Sequence, residues 1–174
     1  MQAHKLLIII IFLPVIFSGC SGFLPRQAEA ETEAVAIVAA PPVVMPTNKA
    51  STVAMQALTH LGVPYRTGGL SPQTGFDCSG LVAYVYLEGV GLALPRNTFD
   101  LSRIGEPVNL DALRPGDLVF YNTQLREYSH VGIYLGEERF IHAPSSRGEV
   151  RVENLLADYW TRRYSGARRI IALQ

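Results

Sequence analysis

Three residues in this chain have the chemistry and the spacing to act together: Cys78, His130 and His142. Cys78 stands in Gly75-Phe76-Asp77-Cys78-Ser79-Gly80-Leu81, where a loop gives way to an apolar run of helical period. A thiol at that point faces the unpaired N–H groups and the positive end of the helix dipole. Both favour the thiolate, so the sequence predicts a lowered thiol pKa and a nucleophilic sulfur. Such a sulfur needs a proton acceptor. Of the four histidines, His4 lies in an apolar leader and His60 ends the first predicted helix, which leaves His130 and His142. They stand twelve residues apart on the two arms of a predicted hairpin turning at Gly136-Glu137-Glu138. An even separation lets both side chains emerge on one face. One histidine then takes the thiol proton while the other accepts a hydrogen bond from its far nitrogen, fixing tautomer and orientation. Two other arrangements use the same residues. Cys78 as an inert buried thiol beside structural histidines is one. A Cys–His–His zinc site is the other, and the lack of a Cys-x-x-Cys pair or of closely spaced histidines counts against it.

The elements that must position these residues follow from the periods. Val53, Ala54, Ala57, Leu58 and Leu61 recur at helical spacing after Ser51, a candidate cap, and Gly62 ends that helix. Tyr65–Thr74 reads as a loop, and a second helix is expected from about Ser79 to Glu88. From residue 117 onward the period becomes two, with strands predicted at Leu118–Tyr121, Val131–Leu135, Arg139–Ala143 and Val150–Glu153. A short helix near Leu155–Trp160 and a strand near Ala167–Leu173 complete the pattern. Helices first and antiparallel strands afterwards define the α+β class.

The chain before Ala50 reads differently. A weakly basic start, His4 and Lys5, precedes an apolar run of 12 residues, Leu6–Phe17, then Ser18, Gly19 and Cys20. That is the layout of a secretory signal over residues 1–19, and the run is short of the ~20 residues a bilayer span needs. Phe17-Ser18-Gly19-Cys20 resembles a bacterial lipobox, with Phe17 in the place of the usual leucine, so Cys20 is the expected lipidation site. Ser21 resembles the pattern that directs lipoproteins to the outer membrane of Gram-negative cells, so the resemblance implies an exported chain anchored at its periplasmic face. Several acyl chains on one cysteine hold firmly, since each buried CH₂ adds about 0.8 kcal/mol. Residues 20–50, with Pro41-Pro42 and Pro46, read as a lipidated flexible tether, and residues 51–174 as the folded domain. With Cys20 lipidated, Cys78 has no disulfide partner and is a lone thiol. The chain has 174 residues, 17% of them charged, at a formal net charge of +0. No excess of Lys and Arg points to nucleic acid.

Six stretches carry a resemblance to a known family. They are Gly62–Gly69 (Gly-Val-Pro-Tyr-Arg-Thr-Gly-Gly), Phe76–Leu81, Leu94–Thr98 (Leu-Pro-Arg-Asn-Thr), Arg114–Phe120 (Arg-Pro-Gly-Asp-Leu-Val-Phe), His130–Gly136 and Ile141–Ala143. In this order the chain resembles the NlpC family of papain-like cell-wall peptidases, and within it the small Spr-type murein endopeptidase lipoproteins. The resemblance implies helices packed on a C-terminal antiparallel sheet or half-barrel, and Cys–His–His hydrolysis of peptidoglycan stem peptides without a cofactor. It implies Cys78 as nucleophile, His130 as general base and His142 as the residue that orients it. Tyr65 matches a cleft tyrosine that helps stabilise the oxyanion beside the backbone N–H of Cys78, although a packed loop aromatic would read the same way. Asp77 and Ser79 match positions that contact the substrate peptide, and Asp77 is equally a helix cap. Arg96 falls in a matching stretch with no role assigned, and the loop Leu70–Gly75 is one residue longer than in Spr-like relatives.

Two other functions stay open at this point: an acyltransferase or amidase on the same fold, and a non-catalytic wall-binding lipoprotein. The filled triad counts against the second. The lack of an apolar run after His142 counts against the first. The arginines near the end, Arg162, Arg163, Arg168 and Arg169, either face wall carboxylates or are solvated. The resemblance leans toward the D-alanyl–diaminopimelate crosslink over the D-glutamyl–diaminopimelate link. Membrane contact is expected through Cys20 alone, and an adaptor protein is left open, since no residue identifies one.

Overall fold

The computed structural model describes residues 48–145 and 148–170. The expected signal, Cys20 and most of the tether lie outside them. Helix α1 (Lys49–Leu58) opens on Asn48, whose side chain accepts the N–H of Ser51 at 2.8 Å. Ser51 is therefore inside the helix, not its cap: Asn and Ser cap equally well, and Asn48 comes first. A short hairpin, β1 (Leu70–Ser71) and β2 (Gly75–Phe76), stands where the sequence predicts a plain loop. It leads into α2 (Cys78–Val90), capped by Asp77 and closed by Gly91 at φ 70°. Next come α3 (Thr98–Leu101), β3 (Glu106–Pro107) and a 3₁₀ turn at Leu110–Ala112, none with enough residues to show a period.

The strands that follow agree with the sequence expectation to within a residue or so, except the last. They are β4 (Leu118–Tyr121), β5 (His130–Gly136), β6 (Arg139–His142) and β7 (Arg151–Asn154). A single helical turn, α4 (Asp158–Thr161), precedes β8 (Tyr164–Arg169), which begins three residues earlier than expected. The six-stranded sheet runs β3-β8-β4-β5-β6-β7, antiparallel throughout. The fold is α+β.

Strand alternation sorts the core into two layers. Leu118, Phe120, Val131, Ile133 and Ile141 face the helices and meet Val53, Ala57, Leu81, Val82, Val85 and Tyr86. Val119, Tyr121 and Phe140 face the other way and pack with Leu155, Trp160 and Ala167. Each fully buried aliphatic or aromatic side chain contributes roughly 1.5–3 kcal/mol, so the first, larger layer holds α2 on the sheet. Arg169 adds a tie across strands. Its guanidinium pairs with the buried Asp117 at 2.6 Å, and Asp117 also accepts the Arg114 N–H at 2.8 Å. Two more of the C-terminal arginines are engaged near home: Arg162 pairs with Asp158, and the Arg163 guanidinium sits 3.9 Å over the Tyr159 ring.

Candidate active site

Cys78 is the first residue of α2, and its surroundings are a compact polar knot. Asp77 Oδ1 accepts the N–H of Gly80 at 2.7 Å, and Oδ2 accepts the N–H of Gly68 at 2.9 Å. The buried Ser79 hydroxyl lies 2.9 Å from the Arg96 carbonyl and 3.0 Å from Asp77 Oδ1. The Arg96 guanidinium closes the knot at 3.4 Å from the Asp77 carboxylate. Arg96 thus ties the Leu-Pro-Arg stretch to the start of α2. The Gly68-Gly69 loop approaches so closely that a Cβ on Gly80 would overlap the Gly69 carbonyl oxygen. Only glycine fits there.

The thiol does not behave as the helix end alone predicts. Burial pushes Cys78 up to about 11, the adjacent Asp77 carboxylate adds to the rise, and hydrogen bonds from the N–H groups of Val131, Ser79 and Cys78 itself oppose it. The expected donors are present, but loss of water outweighs them, and the cap that starts the helix is itself an anion. In the resting protein Cys78 is a thiol. Val131, whose N–H acts on the thiol in this way, directly follows His130 on β5.

His130 and His142 meet across the β5–β6 hairpin. Register pairs Ile133 with Ile141, so both histidines emerge on the face opposite the helices, with Nε2 of His130 2.7 Å from Nδ1 of His142. Gly132 lies between them in that register, and a Cβ there would press on Phe140 and the His142 Cβ. Trp160 forms the wall: it stacks on the His130 ring (6.0 Å, 22°) and meets the His142 ring edge-on (5.0 Å, 86°). Burial holds His130 down to about 4 and His142 well below the ordinary histidine value, the latter also lowered by His130 and Arg151. Both rings are therefore neutral at pH 7. With Nε2 of His130 engaged by His142, Nδ1 is the nitrogen left for the thiol. Proton acceptance at Nδ1 requires the hydrogen on Nε2, which is then donated to His142 Nδ1. His142 carries its own hydrogen on Nε2, a buried atom with no partner among the described residues.

Tyr65 is held by its backbone, its N–H donating to the Gly148 carbonyl at 2.8 Å and its strand bridging Phe76, two residues before Cys78. No hydrogen bond joins its hydroxyl to the Cys78 knot among the described residues. His60, the remaining described histidine, packs edge-on against Phe76 and Tyr84 and is structural. No three His, Cys, Asp or Glu side chains converge into a metal-binding group among the described residues. A cleft of about 510 Å³ borders the histidines, lined also by Arg151, Glu153, Tyr159 and Trp160. Trp160 and Arg151 are the residues that sequence reasoning misses, although an aromatic pair, Tyr159-Trp160, in a predicted helix is a visible signal.

The NlpC/P60 family model matches residues 62–169, which takes in the whole site. The chain belongs to the NlpC/P60 family. The murein DD-endopeptidase MepH of Escherichia coli is 45% identical over 128 residues, covering 71% of this chain and 47% of that one. The gamma-DL-glutamyl hydrolase of Bacillus subtilis is 43% identical over 118 residues, covering 67% of this chain and 28% of that one. This chain thus spans less than half the length of these two relatives. An NlpC/P60 crystal structure from Bacillus cereus superposes with a TM-score of 0.66 at 33% identity, over 74% of this chain and 42% of the other. NlpC/P60 membership and the observed layers agree: both are α+β.

Proposed function

We propose that this chain is a cysteine peptidase that hydrolyses stem-peptide bonds of peptidoglycan. The observation that carries the reading is the 2.7 Å contact between the two histidines, the first of which directly precedes Val131, whose N–H acts on the Cys78 thiol. In the reaction, His130 Nδ1 takes the thiol proton as sulfur attacks the scissile carbonyl carbon. The bond to His142 keeps Nδ1 of His130 on the sulfur side. The backbone N–H of Cys78 and the Tyr65 hydroxyl receive the developing oxyanion. His130 returns the proton to the leaving amine as the C–N bond breaks. Water, deprotonated by the same ring, then cleaves the thioester and restores the thiol. Because thiol and imidazole are both neutral at rest, the ion pair forms only when substrate displaces water and the transfer begins.

Asp77 and Ser79 have little freedom to reach a peptide except as part of the knot they form with Arg96, so the substrate meets them as a fixed polar edge. Relatives are named for different bonds, the DD-crosslink and a gamma-glutamyl link. The D-alanyl–diaminopimelate crosslink is the substrate we favour here. We further infer export and lipid anchoring through Cys20 at the periplasmic face of the Gram-negative outer membrane, supported by Ser18-Gly19-Cys20. Labelled fatty acid should attach to the chain and fail to attach to Cys20→Ala.

Defined muropeptides incubated with the protein and read by mass spectrometry test the activity. The expected products are stem-peptide fragments, unaffected by chelators. Cys78→Ser should lower turnover by on the order of 10³ or more. Turnover that survives in Cys78→Ser and falls with a chelator would overturn the proposal.

A further inference from the structure

The cleft beyond the histidine pair is bordered by both rings but not by Cys78. Two polar groups there lack the partners their chemistry calls for. His142 is fully buried, and its Nε2, which carries the hydrogen once Nδ1 is used to accept from His130, has no acceptor among the described residues. Arg151 is the cross-strand partner of His142 in the β6–β7 register. Facing residues of an antiparallel pair stand with Cβ atoms about 4.5–5.5 Å apart on one face. Arg151 is half exposed, and its Nε is fixed by Glu153 Oε1 at 2.7 Å. That bond orients the guanidinium and leaves its two Nη groups with no hydrogen bond to another described residue.

We propose that this cleft is a carboxylate subsite, in which the Arg151 guanidinium and the Nε2–H of His142 together hold one carboxylate of the wall peptide. The geometry suits that group better than any other. The guanidinium fork matches a carboxylate with parallel N–H bonds, and a carboxylate accepts from His142 without needing a donor in return. Trp160 and Tyr159 supply the apolar walls that orient the adjoining chain. The subsite also acts on the dyad. An empty cleft leaves the Arg151 charge facing His142, whose basicity it lowers. A bound carboxylate, the second beside Arg151 after Glu153, offsets that charge further and accepts the Nε2–H, so His142 becomes a stronger acceptor and His130 a stronger base. Selection of a carboxylate-bearing peptide and activation of the base are then one event.

The identity of the ligand rests on the peptidase reading; the subsite does not. Free carboxylates of a stem peptide lie on the γ-linked glutamate, on diaminopimelate and at the terminal alanine, and amidating each in turn separates them. In the wild-type protein, one of the three amidations should lower kcat/KM about tenfold or more, an Arg–carboxylate bond being among the stronger hydrogen bonds. In Arg151→Gln the same amidation should have little further effect, and Arg151→Lys should fall between. Sensitivity to amidation that is identical in wild type and Arg151→Gln overturns the subsite. A second measurement needs no turnover. In the Cys78→Ala protein, the His142 Nε2 nitrogen resonance should move on addition of the free diaminopimelate tripeptide and stay in place with its amide. A resonance that ignores the free peptide overturns the subsite as well. If the wild type cleaves none of the peptides while His142 responds, the subsite stands and the peptidase reading falls.

Discussion

The two halves of the site are built on opposite principles. The Cys78 half is a polar knot in which Asp77, Ser79, Arg96 and the amides of Gly68 and Gly80 satisfy one another. The histidine half is mostly apolar: among the described residues one hydrogen bond joins the rings, and Trp160 and Phe140 pack against them. A half-buried nucleophile tolerates charged neighbours only if something fixes them, which the cap and Arg96 do. A base that must stay neutral until used gains from the reverse, since an apolar shell disfavours imidazolium. The contrast explains why the thiol at the start of α2 and the imidazoles of β5 and β6 rest uncharged.

The sharpest break in that contrast comes from the histidines themselves. His130→Ala should cost about 10²–10⁴ in kcat/KM, since the proton acceptor goes. His142→Ala should cost less, roughly tenfold to a hundredfold, because orientation goes while the base remains. His142→Asn or Gln should recover part of that loss, as either accepts the same bond. Equal losses in His130→Ala and His142→Ala would show that the two rings do not divide the work. The apolar wall is next. Trp160→Leu should destabilise the fold by about 2–3 kcal/mol in denaturant titration, below the 3–5 kcal/mol of a full aromatic truncation. It should also raise the His130 pKa measured by NMR, because water then reaches the ring. A destabilised variant with an unmoved His130 would make Trp160 packing alone.

The smallest effect is on stability against pH. His130 and His142 titrate below their unfolded values, so the unfolded chain binds more protons between about pH 6.5 and 4. Stability is fully present above about pH 6.5 and falls as pH drops through that window. Denaturant midpoints across that window should show the slope, and His130→Gln should flatten it. A flat wild-type profile would contradict the neutral dyad.

Much of this was legible in the sequence because it is periodic. The run after Cys78 marks α2, and the alternation around His130 and His142 marks a hairpin whose even spacing puts both rings on one face, as the structure has it. The features that were not legible lack a period or depend on distant partners. The two-residue strands β1 and β2 and the single turn α3 are too short to announce themselves. Ser51 and Asn48 are equally good caps on paper. Burial around Cys78 comes from β5, some fifty residues away, which is why local helix-end reasoning gave the wrong direction for its pKa. Trp160 and Arg151 reach the histidines only through the order of strands in the sheet.

That order has a further consequence for how the molecule comes into being. Strand β8 is the last of the sheet in chain order, yet it lies inside it, between β3 and β4. Until the residues up to Arg169 have been made, β4 has an open edge and Asp117 lacks its guanidinium partner. The hairpin bearing both histidines borders that same β4. The pair of rings thus gains the full support of its neighbouring strand only after β8 has been made, and a chain cut short before Tyr164 should hold them less firmly.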